Sequence, residues 1–179
     1  MAVHHVAFAT ADLSRTHAFY TEAMGFELVK VLVSATPEGG WSKHVFYDTG
    51  DGALLAFWEL HGDYPPVDGA LSRSVGLPDW VNHLAFRAHD AAHLESAKKR
   101  WRDLGLDVFE VDHGPFQSIY TNDPNNTMVE WCLDVDPPGD ADRAEALRLI
   151  AEPAPPVTHR AVGAEHYPAD PAKQPSWVG

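Results

Sequence analysis

The stretch HHVAFATAD, His4 to Asp12, has a near copy far downstream in NHLAFRAHD, Asn82 to Asp90. His83 follows His5 by 78 residues, and the two copies keep step from histidine to aspartate. Each leads into a helix-patterned segment, LSRTHAFYTEAM (13–24) or AAHLESAKKRWRDL (91–104), that stops at Gly25 or Gly105. A glycine there supplies the left-handed residue that ends a helix. A β-like run follows in both, FELVKVLV (26–33) or LDVFEV (106–111). Two more strand-like runs close each half. In the first they are KHVFYDT and ALLAFWEL around Gly50-Asp51-Gly52; in the second, QSIYTN and TMVEWCL around Asp123-Pro124-Asn125-Asn126. Glycine, proline and asparagine at those joints are turn chemistry.

The spacing therefore predicts a β-α-β-β-β unit used twice in an α+β chain. A period of about 80 residues suits a duplicated half-domain rather than a solenoid. The expected layout is a paired domain over 1–135, with a first module at about 1–60, a Pro/Gly-rich linker over 61–80 and a second module at about 81–135. Residues 136–179 form a tail. It begins with a short helix in DADRAEALRLIAE, N-capped by Asp140, and continues as an extended Pro/Ala-rich segment lying over the surface or across a partner subunit.

Strand alternation sorts the side chains into faces. Val6 and Phe8 point one way, and His5, Ala7 and Ala9 the other; Leu84 and Phe86 point one way, and His83, Ala85 and Arg87 the other. The bulky apolar face is expected under the helices, leaving a face with one histidine among small alanines. In TMVEWCL, Glu130 shares its face with Met128 and Cys132. A mid-strand carboxylate is costly to bury unless it is paired or bound to a metal. Two strand-borne histidines and one glutamate on the faces away from the helices suit an octahedral metal with open positions. His4 has the parity of Val6 and Phe8 and is read as peripheral.

Composition narrows the function classes. The 179-residue chain has 13 Lys+Arg against 26 Asp+Glu, a net charge of −13 that repels nucleic-acid phosphates and anionic lipid surfaces. The lone Cys132 forms no internal disulfide, in keeping with a reducing cytoplasm. The first residues lack a signal-peptide pattern, and no apolar run approaches the ~18 residues of a membrane helix. A soluble, cytoplasmic protein acting on a small molecule is the expectation.

The motifs HHVAFATADL…AFYTEAMGFEL, NHLAFRAHD and SIYTNDPNNTMVEW resemble the vicinal oxygen chelate superfamily over residues 3–135. That superfamily includes glyoxalases, bleomycin- and fosfomycin-resistance proteins, methylmalonyl-CoA epimerases and type I extradiol dioxygenases. The resemblance implies paired βαβββ modules whose curved sheets form a cup around a divalent metal. It places first-strand ligands at His5 and His83 and a last-strand ligand at Glu130. Asn126 stands where the family's turn usually has glycine, and asparagine tolerates the left-handed conformation.

Counting four residues past each turn, Glu130 corresponds to Ala56, where glyoxalases usually carry a fourth, carboxylate ligand. Glu59 reaches the cup only through a bulge. With Ala56 in that place the donor set is the facial triad of non-heme Fe(II) oxygenases. Tyr120, ten residues before Glu130, matches the extradiol tyrosine that hydrogen-bonds a metal-bound catecholate. His113 is a candidate acid/base and His44 a weaker one; Trp41, Phe46, Phe57 and Trp58 are candidate pocket aromatics. The resulting expectation is an Fe(II) extradiol-type dioxygenase acting on an aromatic vicinal diol or enediol, as a homo-oligomer, most simply a dimer. The alternatives are a glyoxalase-like lyase or isomerase using Zn, Ni, Co or Mn, and a drug-sequestering resistance protein.

Overall fold

The computed structural model describes residues 3–50, 52–157 and 159–178. Asp51, part of the turn expected in the first half, lies outside the described residues. In chain order the elements are β1 (His5–Ala9), α1 (Leu13–Ala18), β2 (Glu27–Ala35), β3 (Gly40–Asp48), β4 (Leu54–Gly62), β5 (His83–Arg87) and α2 (Ala91–Asp103). Then come β6 (Val108–Asp112), β7 (Phe116–Asn122), β8 (Met128–Asp134), α3 (Asp140–Ala151) and β9 (Gly163–Tyr167). The first helix runs on as a π-helical turn over Phe19–Ala23. One sheet has the order β1-β4-β3-β2, the other β5-β8-β7-β6-β9. In each, the first strand pairs in parallel with the last strand of its unit, β1 with β4 and β5 with β8. The α+β fold of two βαβββ units follows.

Local chemistry explains the repeated pattern. The aspartate ending each copy of the opening motif is a helix N-cap: Asp12 accepts from Arg15 N and Asp90 from His93 N. Gly25 (φ 77°) and Gly105 (φ 66°) turn the chain out of the helices in the left-handed region. Asn126 holds the same conformation at φ 59°, as its place in the β7–β8 turn requires.

Both units share one core. Phe19, Tyr20, Tyr47, Leu55 and Phe57 from the first pack in the same cluster as Leu94, Trp101, Val108, Ile119, Val129 and Trp131 from the second. Trp101 is fully buried, and its indole N–H donates to the Ala23 carbonyl at 3.0 Å. The β7–β8 turn also ties the halves together. Buried Asp123 accepts the Tyr20 hydroxyl at 3.0 Å, and the Asn125 amide donates to Thr16 Oγ1 at 3.1 Å. Burial is the main influence raising both the Asp123 carboxyl and the Tyr20 phenol above their usual ranges.

The tail departs from expectation in two ways. Gly139, not Asp140, is the N-cap of α3, and its N–H donates to Asp142 Oδ2 at 2.7 Å. The remainder is more than an extended surface segment. Strand β9 pairs antiparallel with β6 over Gly163–Tyr167, and Trp177 enters the shared core at 7% exposure. Its indole N–H donates to Glu22 Oε2 at 2.7 Å, and its carbonyl accepts from Arg15 Nε at 2.8 Å. Among the described residues no helix is long and apolar enough to cross a membrane.

Candidate metal centre

Strand register fixes what the first sheet presents on the face turned from the core. Ala7 is opposite Ala56, Phe46 opposite Ala56, and His44 opposite Trp58. His5, Ala7, Ala56, Trp58, His44 and Phe46 therefore share that face, because Leu55, Phe57, Val45 and Tyr47 occupy the other. The β3–β4 register runs unbroken from Gly40 to Asp48, so no bulge turns Glu59 inward. Glu59 lies on the opposite face, where its Oε2 accepts from Lys43 Nζ at 2.7 Å and faces His61 Nε2 at 3.0 Å. Burial pushes the Glu59 carboxyl up, but Lys43 and His61 together outweigh it and the net direction is down.

His5 lies 6.1 Å from His44 and 5.7 Å from Phe46, ring centre to ring centre. Its Nδ1 is 2.8 Å from Nδ1 of His4, so His4 is its orienting partner rather than a bystander. When His5 Nδ1–H is the donor of that bond, the lone pair of its Nε2 is left for a ligand. His44 is 7% exposed and stacks on Trp58 at 3.6 Å, and its buried Nε2 has no hydrogen-bond partner among the described residues. Burial, then the nearby His5, lowers its pKa and keeps the imidazole neutral near pH 7.

The second sheet assembles a chain of hydrogen bonds. Ala85 and Tyr120 both stand opposite Glu130 in register. His83 Nδ1 donates to the Trp80 carbonyl at 3.0 Å, and its Nε2 lies 3.0 Å from Glu130 Oε2. Tyr120 donates its hydroxyl to Glu130 Oε1 at 3.1 Å, while His113 Nε2 lies 3.0 Å from the same hydroxyl. With the tyrosine O–H donating to Glu130, His113 Nε2–H donates to the phenol oxygen. Burial above all, with the Glu130 charge adding to it, raises the Tyr120 phenol well above its usual value. It stays protonated, as a donor, at neutral pH.

Of the expected site residues, the structure joins His83, Glu130, Tyr120 and His113 in one chain and places His5 on the other sheet. Among the described residues of one chain, no three His, Cys, Asp or Glu side chains converge to hold a metal. Of the expected pocket aromatics, Phe46 and Trp58 share the face of the first sheet that carries His5. Phe57 is in the core, and Trp41 stacks on His61 on the Glu59 side at 3.7 Å.

The donors fit a divalent cation. With its Nδ1–H committed to the Trp80 carbonyl, a neutral His83 turns the Nε2 lone pair toward a carboxylate oxygen at 3.0 Å. Two lone pairs that close repel unless a proton or cation lies against both. Glu130 is 3% exposed, and a carboxylate so buried needs such a counter-charge.

The paired βαβββ fold, with imidazoles and a carboxylate on strand faces turned from the core, defines a class of small-molecule-binding cups. The chain belongs to the Glyoxalase/Bleomycin resistance protein/Dioxygenase superfamily, whose model matches residues 2–131. This superfamily contains many enzymes acting on small molecules with a divalent metal.

Solved structures agree on the fold. Lactoylglutathione lyase from Agrobacterium tumefaciens is 25% identical at a TM-score of 0.50, covering 74% of this chain and 92% of its own. The fosfomycin resistance protein FosX from Listeria monocytogenes is 21% identical at a TM-score of 0.54, covering 80% and 98%. A glyoxylase/bleomycin resistance protein/dioxygenase domain from Frankia sp. EAN1pec is 18% identical at a TM-score of 0.56, covering 75% and 98%. FosX has also been solved with Mn(II) and sulfate. None of the curated proteins matches this chain.

Proposed function

We propose that this protein is a divalent-metal enzyme of the extradiol dioxygenase type, with His5, His83 and Glu130 holding Fe(II). The observation that carries the reading is the run His113–Tyr120–Glu130–His83, combined with alanine at position 56 where a fourth carboxylate would stand. A facial triad leaves positions for both oxygens of a vicinal diol and for O2. The bound metal would lower the pKa of a substrate hydroxyl and bring diol and O2 together.

The chain's own residues supply the remaining tasks. Tyr120 holds Glu130 in place and offers its oxygen to a diol hydroxyl. Neutral His44, on the same sheet face as His5, is the base that takes a proton from one hydroxyl of the substrate. His113 orients Tyr120 from behind. Phe46 and Trp58 give the aromatic ring an apolar wall. Extradiol cleavage inserts both atoms of O2 while one ring C–C bond breaks, so no external reductant is needed.

Two copies of the chain assemble each site in this reading. His5 and His44 lie on one sheet and His83 and Glu130 on the other, each on the face turned from the shared core. Leu28, Val29, Val31, Leu32 and Val33 on edge strand β2 are all more than a third exposed, which a second copy would cover.

The likeness to lactoylglutathione lyase supports a second reading, a metal-dependent lyase or isomerase that uses no O2. Its fourth carboxylate would have to be Glu59, which is engaged with Lys43 on the wrong face. One experiment separates the two. The purified protein's metal is identified, the apoprotein is reconstituted anaerobically with Fe(II), and a catechol panel and O2 are added. Oxygen uptake with a yellow ring-cleavage product supports the dioxygenase. No uptake across the panel, with Zn or Ni at full occupancy, sinks it.

A further inference from the structure

The strands that carry the candidate site end at Asp134, but another part of the chain returns to it. After α3 comes Glu152-Pro153-Ala154-Pro155-Pro156, where three prolines fix φ and stiffen the path. The connector is then pinned to the sheet. Val162 N–H donates to the Asp112 carbonyl at 2.7 Å, and Gly163 pairs with Asp112 as β9 begins. Asp112 is the residue before His113. Gly114, at φ 87°, turns the chain beside His113 and passes the Val162 side chain closely.

This anchoring sets His159 beside His113, with ring centres 6.3 Å apart and ring planes 23° from parallel. His113 is the outer end of the hydrogen-bonded run that reaches Glu130 through Tyr120. His159 is exposed and forms no hydrogen bond or ion pair with the described residues, so no structural task occupies its nitrogens. Neighbouring Arg160 likewise forms no ion pair with the described residues. An exposed imidazole with no partner among the described residues, set beside His113 at the edge of the candidate site, has its nitrogens available to a ligand that enters there. With a guanidinium next in sequence, its natural partner is an anion.

We propose that the C-terminal connector contributes a substrate-binding residue, His159, which beside His113 receives a carboxylate carried by the substrate at the end remote from its vicinal oxygens. The inference rests on the reading of the site as a catechol-type chelator and narrows the substrate class to carboxylate-bearing diols. His159 lies beyond the 2–131 span that the superfamily model matches, so the feature belongs to this chain's own extension.

The test is binding, without turnover. Full-length protein is loaded with Zn(II), which is redox-inert, and titrated calorimetrically with 3,4-dihydroxybenzoate and with catechol. The wild type is expected to bind the carboxylate-bearing probe about tenfold more tightly, the low end for a hydrogen bond to a charged group. H159A brings the two affinities together, and H159Q, which keeps an N–H donor, restores part of the preference. If both probes bind wild type equally, or H159A keeps the full preference, the inference is overturned while the chelating site stands. If the metal-loaded protein binds neither probe, the chelating site falls and the inference falls with it.

Discussion

Replacing Tyr120 with phenylalanine removes a single oxygen at the centre of the candidate site. That oxygen donates to Glu130 Oε1 at 3.1 Å and sits 3.0 Å from His113 Nε2. Glu130 is 3% exposed, so its Oε1 loses the Tyr120 donor in a place water reaches poorly. A hydrogen bond to a charged group contributes about 1.5–3 kcal/mol, which corresponds to roughly 10- to 100-fold in an equilibrium constant. Side chains that hydrogen-bond to metal ligands show the same range, about 10- to 100-fold in metal affinity. Y120F is therefore expected to weaken Mn(II) or Co(II) binding by about that factor, with far-UV circular dichroism unchanged. Calorimetric titration of the apoprotein measures it. Wild-type affinity in Y120F would refute the claim that Tyr120 supports the ligand Glu130.

Three further outcomes follow from the geometry. Trp177 is 7% exposed, lies 5.8 Å from Phe19 and donates to Glu22, so W177A is expected to cost about 3–5 kcal/mol in urea unfolding, with W177F losing less. Neutral effects in both variants would mean the tail is not part of the core. The Glu59 carboxyl is held below its ordinary 4.5, so its contribution to stability is full above that pH and is lost as pH falls through the lower folded value. The stability gap between wild type and E59Q should therefore shrink as pH falls below 4.5, and a gap that widens on acidification contradicts the Lys43–Glu59 pairing. Finally, mixing unfolded H5A and E130A chains and refolding them together should restore metal binding to a fraction of sites. A site shared between copies leaves one intact His5–His83–Glu130 set in each mixed dimer, whereas a site within one chain leaves none.

Much of the fold was legible because it is stated twice. The repeated HVAFATAD and HLAFRAHD motifs set the register, and strand alternation then sorted His5, His83 and Glu130 from the core side. Periodicity was enough for this because a side chain's face depends only on its position along a strand. The same logic kept Glu59 off the cup and left Ala56 on it. The capping role of the repeat's aspartates, Asp12 and Asp90, emerged only from the hydrogen bonds.

What stayed hidden depends on contacts between distant parts of the chain. Nothing in the tail's composition says that Gly163–Tyr167 will extend a sheet or that Trp177 will meet Phe19, 158 residues earlier. The Trp80 carbonyl that fixes His83 comes from the irregular linker, and His159 reaches His113 across 46 residues. Strand parity says nothing of the contact between His4, exposed just before β1, and the His5 ring 2.8 Å away, nitrogen to nitrogen.

The central claim, that His5, His83 and Glu130 hold one divalent metal, is tested most directly by metal titration of the apoprotein. Wild type is compared with H5A, H83A and E130A, each checked for an intact fold by circular dichroism. The account expects one tightly bound ion for each wild-type chain and loss of that ion in all three folded variants. Full, tight metal binding in any one of them would contradict it.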